Sequence, residues 1–368
     1  MGITEIEEAS HVVEGHTDIM LVQLVPRMGG IVCGVGDYAA TLAGGLRDRH
    51  RMHSRFLAAE VGPGTAGDSI LRIERSADAL ANALRGQNDL LLHYVGYGFE
   101  KRGCPLWLMS GLKRWKAENP SSRLTTMFHE LSSMGLPWQS SFWVSPVQRW
   151  LCREIARLSD AIVTNREAGA GQLLRMAPGR KVIHLPVFSN MGEPQDLPSF
   201  DCRIARMVIF GSRRWRVKAL TTDVEMIRSA CRRWQLEEVI EIGPDDTPAP
   251  DLGVPLRKLG TLPAEDVSRW LTGTRFGFLG YPCTLLEKSG IFAAYAAHGV
   301  IPLLPGHSEA DASFGMVEGE HYLSLANETL SKDALESCSR AVFSWYQNHR
   351  SETHVTVFAN LLNQQSGR

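Results

Sequence analysis

Glu287, Lys288, Ser289 and Gly290 stand between an apolar run and a helical pattern, where one carboxylate and several free backbone amides could share a ligand. The run, residues 276–281, reads as a buried strand, and Ile291, Ala294, Tyr295 and His298 then recur at helical spacing. Ala293, Ala294, Ala296 and Ala297 let that helix lie close to a sheet, Gly299 is placed to end it, and residues 300–304 re-enter the sheet. In such a strand–turn–helix–strand unit, Glu287 sits at the carboxyl end of a parallel strand. The N–H groups of Ser289 and Gly290 open the helix, where an anion can be held. A carboxylate for hydroxyls beside amides for phosphate suits a nucleotide-sugar.

A second group is basic. Arg213, Arg214, Arg216 and Lys218 follow a strand pattern that ends in Gly211, with a helix expected over residues 219–235. Four cations in six residues are ordinarily a solvated charge run. Between a strand end and a helix they stand where phosphate sites form, and Arg there offers a bidentate fork where Lys offers a compact charge.

Further chemistry gathers at other strand ends. His93 to Gly98 reads HYVGYG, with His93 and Tyr97, and a later strand ends in His129-Glu130. By the rule that ligands sit outside the carboxyl ends of parallel strands, both open onto one crevice. A lone buried His is more often a core residue than a catalyst. Gly29, Gly30, Gly34 and Gly36 crowd the segment after the first strand, with Asp37 expected to open a helix to about residue 50. They allow close backbone approach to a ligand, but they are not the G-x-G-x-x-G fingerprint. Gly243-Pro244 and Lys258-Leu259-Gly260 mark two more strand ends.

The elements that must position these residues alternate. Strands are expected at residues 18–25, 54–59, 90–95, 124–130, 161–164 and 182–187, with helical stretches such as 77–85 and 147–158 between them. Residues 186–198, with three prolines, read as a linker, and a second strand series begins at Arg206. Residues 138–150, WQSSFWVSPVQRW, form an aromatic cluster for which core packing is expected ahead of an acceptor platform or a shallow membrane contact.

The segment around Glu287 resembles the donor motif of family 4 glycosyltransferases, in which two glutamates separated by seven residues precede an alanine-rich helix. Glu287 matches the first glutamate. The second position is Tyr295 by count, or Ala294 if the register is taken from Gly299. The resemblance implies two Rossmann-like α/β domains facing across a cleft, the GT-B fold. The N-terminal domain would be residues 1–190, the linker 191–205 and the donor domain 206–345, with a last helix within about 346–368 crossing back.

The same resemblance implies that Gly34, Gly36 and Asp37 face the donor, and that Lys218 with Arg213 or Arg214 binds its diphosphate. It places His129 near the donor sugar, and the base beside Gly243, Lys258 and Leu259, held largely by backbone. His93, Tyr97 and Glu130 would then lie on the acceptor side. The expected activity is sugar transfer from a nucleoside-diphosphate sugar to a small-molecule, glycan or lipid-linked acceptor. Retention of anomeric configuration is implied by the family alone. A nucleotide-sugar epimerase or phosphorylase, or a non-catalytic subunit that binds nucleotide-sugar, would use the same shell.

Composition sets outer bounds. A chain of 368 residues, 44% apolar and 21% charged, accommodates two ordinary cores. A net charge of −1 offers no global attraction for nucleic acid. Seven scattered cysteines without a C-x-x-C pair point to reduced thiols in a cytoplasm, not to zinc. No D-x-D motif is present, so a metal-independent reaction with no cofactor is expected. No run is long enough to span a membrane, and residues 1–17 are too acidic for a signal peptide.

Overall fold

The computed structural model describes residues 19–30, 33–63, 69–132, 140–306, 316–325 and 330–363. Seven strands form the first sheet: β1 (Ile19–Met28), β2 (Met52–Val61), β3 (Ile70–Arg72), β4 (Asp89–Tyr94), β5 (Arg123–Phe128), β6 (Ala161–Thr164) and β7 (Lys181–His184). Their order is β3-β2-β1-β4-β5-β6-β7, and every ladder is parallel. Six strands form the second: β8 (Ile204–Phe210), β9 (Glu238–Ile242), β10 (Leu256–Lys258), β11 (Thr274–Phe278), β12 (Ile301–Leu304) and β13 (Leu323–Ser324). This sheet is also all parallel, in the order β10-β9-β8-β11-β12-β13.

Strands buried on both faces read as continuous apolar runs, and β4, DLLLHY, is buried from its second residue onward. Alternate side chains feed opposite cores. Leu90, Leu92 and Tyr94 pack with Leu108, Leu112 and Trp115, while Leu91 packs with Tyr38, Leu42 and Phe358. The second sheet divides likewise, with Val208 and Ile240 on one face and Met207, Ile209 and Val239 on the other. In each sheet the strand order reverses once, between β1 and β4 and between β8 and β11. Such switch points are where open parallel sheets receive ligands.

Between the sheets, residues 185–203 carry one short 3₁₀ turn, Phe200–Cys202. After helix Lys332–Gln347, helix Ser351–Asn363 packs on helix Gly34–His50 of the first sheet. A Cβ at Gly45 would stand 2.3 Å from Val355 Cγ2, so this helix pair closes more tightly than an alanine there would allow. Glu193 fixes the turn between the last two helices, accepting from Tyr346 Oη at 2.5 Å, Ser351 N at 2.8 Å and Ser351 Oγ at 2.7 Å. All seven cysteines are free thiols. Among the described residues, no helix is long and apolar enough to cross a membrane.

Three local expectations are corrected. The first helix starts at Gly34, so Gly34 and Gly36 form its opening turn instead of a loop before Asp37. The single helix expected over 219–235 is two, Arg213–Ala219 and Val224–Arg233. The chain breaks between them, where the amides of Thr222 and Asp223 both turn back to the Lys218 carbonyl. The aromatic stretch is not core. Of its described part, Phe142, Trp143, Val147 and Trp150 are all exposed, Trp143 at 72%. Trp138 lies outside the described residues.

Candidate functional site

A cleft of about 870 Å³ opens at the carboxyl ends of β4, β5 and β6. From the first domain, Tyr97, His129, Glu130, Asn165 and Arg166 line it; from the second come Thr284, Leu285 and Lys288. The two sides touch through Lys288 Nζ, 2.8 Å from Glu130 Oε1. Of the residues expected on the acceptor side, Tyr97 and Glu130 line the cleft. His93 is fully buried behind His129.

A wired set of polar groups backs His129. Gln23 Nε2 donates to Ser54 Oγ at 2.8 Å, and Gln23 Oε1 lies 2.8 Å from His93 Nε2. The amide oxygen can only accept, so His93 carries its proton on Nε2 and offers Nδ1 as acceptor. That Nδ1 lies 3.3 Å from His129 Nε2, which is then the protonated nitrogen of His129. His129 Nδ1 is left as a lone pair. Burial holds both rings neutral, pushing His129 down to about 3 and His93 well below its ordinary value. His354 is pinned the same way, its Nε2 donating to Pro186 O at 2.9 Å and its Nδ1 lying 2.7 Å from Tyr38 Oη. Sequence inspection missed Gln23, Tyr38 and His354. Gln23 left one signal, as the lone polar residue in the apolar run 19–26 of β1.

Glu287 lies on a short 3₁₀ helix, Cys283–Lys288, that follows β11. Its carboxylate is buried and reaches the other domain. Oε2 accepts from Glu167 N at 3.0 Å, and Oε1 lies 2.9 Å from His184 Nε2, at ion-pair distance though not aligned as a hydrogen bond. Glu167 opens helix Glu167–Met176, so the carboxylate also sits on a favourable helix terminus. Two of its roughly four lone-pair positions are used. Ser289 caps helix Gly290–Ala297, its Oγ accepting from Phe292 N at 3.2 Å, but its own N–H donates to Leu286 O at 2.9 Å and is not the free phosphate donor expected. A Cβ at Gly290 would meet open space. Gly211, at the end of β8, packs against Ile291, which brings the ends of β8 and this helix together at the second switch point.

Tyr295, at the second glutamate position by count, faces the sheet and not the cleft. Its hydroxyl lies 2.9 Å from Val208 O and 3.1 Å from Phe278 O, and its ring occupies the space a Cβ at Gly277 would need. Ala294, the alternative position, is buried.

The four cations after β8 are separated by the structure. Arg216 is 1% exposed, and all its nitrogens are engaged. Nη1 lies 2.5 Å from Glu241 Oε1 and 2.9 Å from Pro244 O, Nη2 lies 2.9 Å from Asp246 Oδ1, and Nε donates to Gly211 O at 3.1 Å. It is therefore a structural arginine, and its expected place on the donor diphosphate is withdrawn. Gly243 serves the same packing, because a Cβ there would stand 2.6 Å from the Arg216 guanidinium carbon. Arg213 is exposed and pairs with Asp246 at 2.9 Å, and Lys218 pairs with the buried Asp223 at 2.6 Å. Arg214 is exposed beside the Trp215 ring. Lys258 pairs with Asp245, and Leu259 N donates to Glu241 O. Gly36 is a contact glycine whose missing Cβ admits the Arg27 carbonyl, while Gly34 and Asp37 are exposed. None of these residues lines the described cleft. No group of three metal-ligating side chains occurs among the described residues.

No protein-family model matches the chain, and no curated protein matches it in sequence. Solved structures do match in shape. A UDP-N-acetylglucosamine 2-epimerase superposes with a TM-score of 0.57 over 96% of this chain and 98% of its own, at 11% identity. WaaG, a glycosyltransferase involved in lipopolysaccharide biosynthesis, gives 0.51 over 93% and 99%, at 12% identity. An α-glucosyltransferase in complex with UDP and a 13-mer DNA gives 0.54 over 94% and 98%, at 10% identity. With two parallel sheets of Rossmann type, the chain has the two-domain GT-B fold. At such identities the likeness carries the fold alone.

Proposed function

We propose that this chain is a glycosyltransferase that draws a sugar from a nucleoside-diphosphate sugar and passes it to an acceptor held on the first domain. One observation carries it. Lys288, which ends the 3₁₀ helix that carries Glu287, lines the cleft beside His129 and pairs with Glu130, while Glu287 itself binds the amide of Glu167 across the domains. In this reading the carboxylate serves sugar hydroxyls and the helix N-terminus phosphate, beside a cleft that holds a neutral imidazole. The similar α-glucosyltransferase in complex with UDP and the similar UDP-N-acetylglucosamine 2-epimerase support the same ligand class.

In this proposal the diphosphate lies between Gly211 and the amides of Gly290 and Ile291, with Arg213, Arg214 and Lys218 at its rim. Fixed donors there would stabilise the charge that grows on the departing diphosphate, so the reaction needs no metal or cofactor. The free lone pairs of Glu287 accept from the sugar. His129, through Nδ1, accepts from a hydroxyl of the sugar or the acceptor. Transfer with retention is the stereochemistry proposed.

An epimerase is the second candidate, favoured by the match to a UDP-N-acetylglucosamine 2-epimerase. Thermal-shift titration across UDP-, GDP-, ADP- and dTDP-sugars tests the ligand class, and a protein that none of them stabilises refutes it. Turnover in a cell extract separates the two reactions. Glycosylated product supports transfer, isomerised free donor selects the epimerase, and binding without either leaves a non-catalytic subunit.

A further inference from the structure

Helix Ser140–Leu158 has two apolar faces where a soluble surface helix has one. Leu151, Cys152, Ile155 and Ala156 are buried in the first domain's core. Trp143, Val147 and Trp150, spaced by four and three residues, point the other way, and Phe142 stands edge-on to Trp143 with ring centroids 5.5 Å apart. The loop beside this helix is tied to it by Gln148 Nε2, which donates to Arg102 O at 3.0 Å. That neighbouring segment exposes Tyr97 and Leu106 as well. Exposed large apolar side chains rimmed by polar ones mark an interaction face.

The charge around the face selects its partner. The helix carries Arg149, Arg153 and Arg157 against a single acid, Glu154, which is bonded to Lys113 at 2.6 Å. The adjacent loop exposes Lys101 and Arg102, with Glu100 as its acid. Indole and phenyl rings flanked by surplus cations fit an anionic bilayer surface, where aromatic rings settle at headgroup depth and each cation attracts the lipid phosphates. A second copy of the chain is a poor fit, because a two-fold contact would bring two surplus-cationic patches together.

We infer that this face docks the protein onto anionic lipid bilayers, with Trp143 and Trp150 entering the interface and the arginines on the headgroups. Phe142, Ser145, Gln148 and Arg149 also line the cleft, so the docked edge is the rim of the candidate site. If the proposed transfer holds, an acceptor carried on a lipid headgroup would reach the cleft from that edge. The docking itself does not rest on that proposal.

The experiment is co-sedimentation of the full chain with vesicles of phosphatidylcholine alone, and of phosphatidylcholine mixed with phosphatidylglycerol. The wild type should pellet with the mixed vesicles and be released by added salt. Arg149→Gln with Arg153→Gln should weaken binding roughly thirtyfold, from about fivefold per cation. Trp143→Ser with Val147→Ser should weaken it by at least about tenfold, and since both sites are exposed, the urea midpoint should not move. Failure to pellet with either vesicle overturns the inference, as does equal pelleting with both compositions. So does equal pelleting of wild type and variants, or a dimer in sedimentation velocity that Trp143→Ser dissolves.

Discussion

Replacing Arg216 by methionine separates a structural cation from a ligand-binding one. In the wild type its guanidinium neutralises Glu241, itself 2% exposed, and also reaches Asp246. Arg216→Met leaves Glu241 buried with only the Thr247 hydroxyl as a partner, at 2.7 and 2.8 Å. Stranding one member of a buried pair costs about 3–5 kcal/mol. For a chain of this size that is a fall of roughly 10 °C in melting temperature. Removing both charges should recover most of the loss, since buried ion pairs are often no better than apolar side chains of similar volume. Arg216→Met with Glu241→Met is therefore expected to melt well above Arg216→Met alone. Asp246 needs no replacement, because it is partly exposed and can be hydrated. The assay is urea unfolding of the wild type, both single variants and the double variant, beside UDP titration of each. Wild-type stability in Arg216→Met, with loss of UDP affinity, would refute the structural assignment and return the arginine to the phosphate.

Glu287→Gln should lower turnover of a nucleotide-sugar about ten- to hundred-fold by removing a charge-assisted bond of roughly 1.5–3 kcal/mol, with UDP affinity unchanged. His184→Ala loosens the same interdomain contact while leaving the Glu287 carboxylate itself in the chain. It should cost stability and spare sugar dependence, and equal losses of turnover in the two variants would remove Glu287 from sugar binding. Acid should destabilise the protein through its buried histidines. His129 and His354 are held down to about 3 by burial, so between that value and the ordinary 6.5 the unfolded chain binds protons that the folded one refuses. Stability is then full above about pH 6.5 and falls as pH drops, by about 2 kcal/mol per histidine at pH 5. Urea midpoints at pH 7 and pH 5 measure it, and a flat profile refutes the buried neutral assignment.

The sheets were legible because parallel strands buried on both faces must be apolar throughout, and residues 161–164 coincide with β6 to the residue. The strand-end rule also carried from sequence to structure. It put Tyr97, His129 and Glu130 on one crevice, and all three line the cleft. What local spacing could not reveal was partnership across long separations. Tyr38 meets His354 across 316 residues, and Glu287 meets the helix start at Glu167 across 120. Arg216 looked free because Glu241 and Asp246 lie 25 and 30 residues away. Only the pairing of Ile209 with Glu241 in the β8–β9 register brings the acid under the helix.

The aromatic stretch fails for a different reason, and the difference is instructive for the site. Composition alone cannot tell which face of a helix is buried when both are apolar. Spacing could have helped. Gln148, Leu151, Cys152, Ile155 and Ala156 form one complete inward stripe without any aromatic residue. Once that stripe is assigned to the core, Trp143, Val147 and Trp150 fall on the opposite side by helical geometry, among the arginines. A helix that has already satisfied its core contacts gains nothing further from those rings within the folded domain. Their exposure is then explained by a surface outside the protein, and Phe142 and Arg149 of the same helix, which line the cleft, tie that surface to whatever enters it.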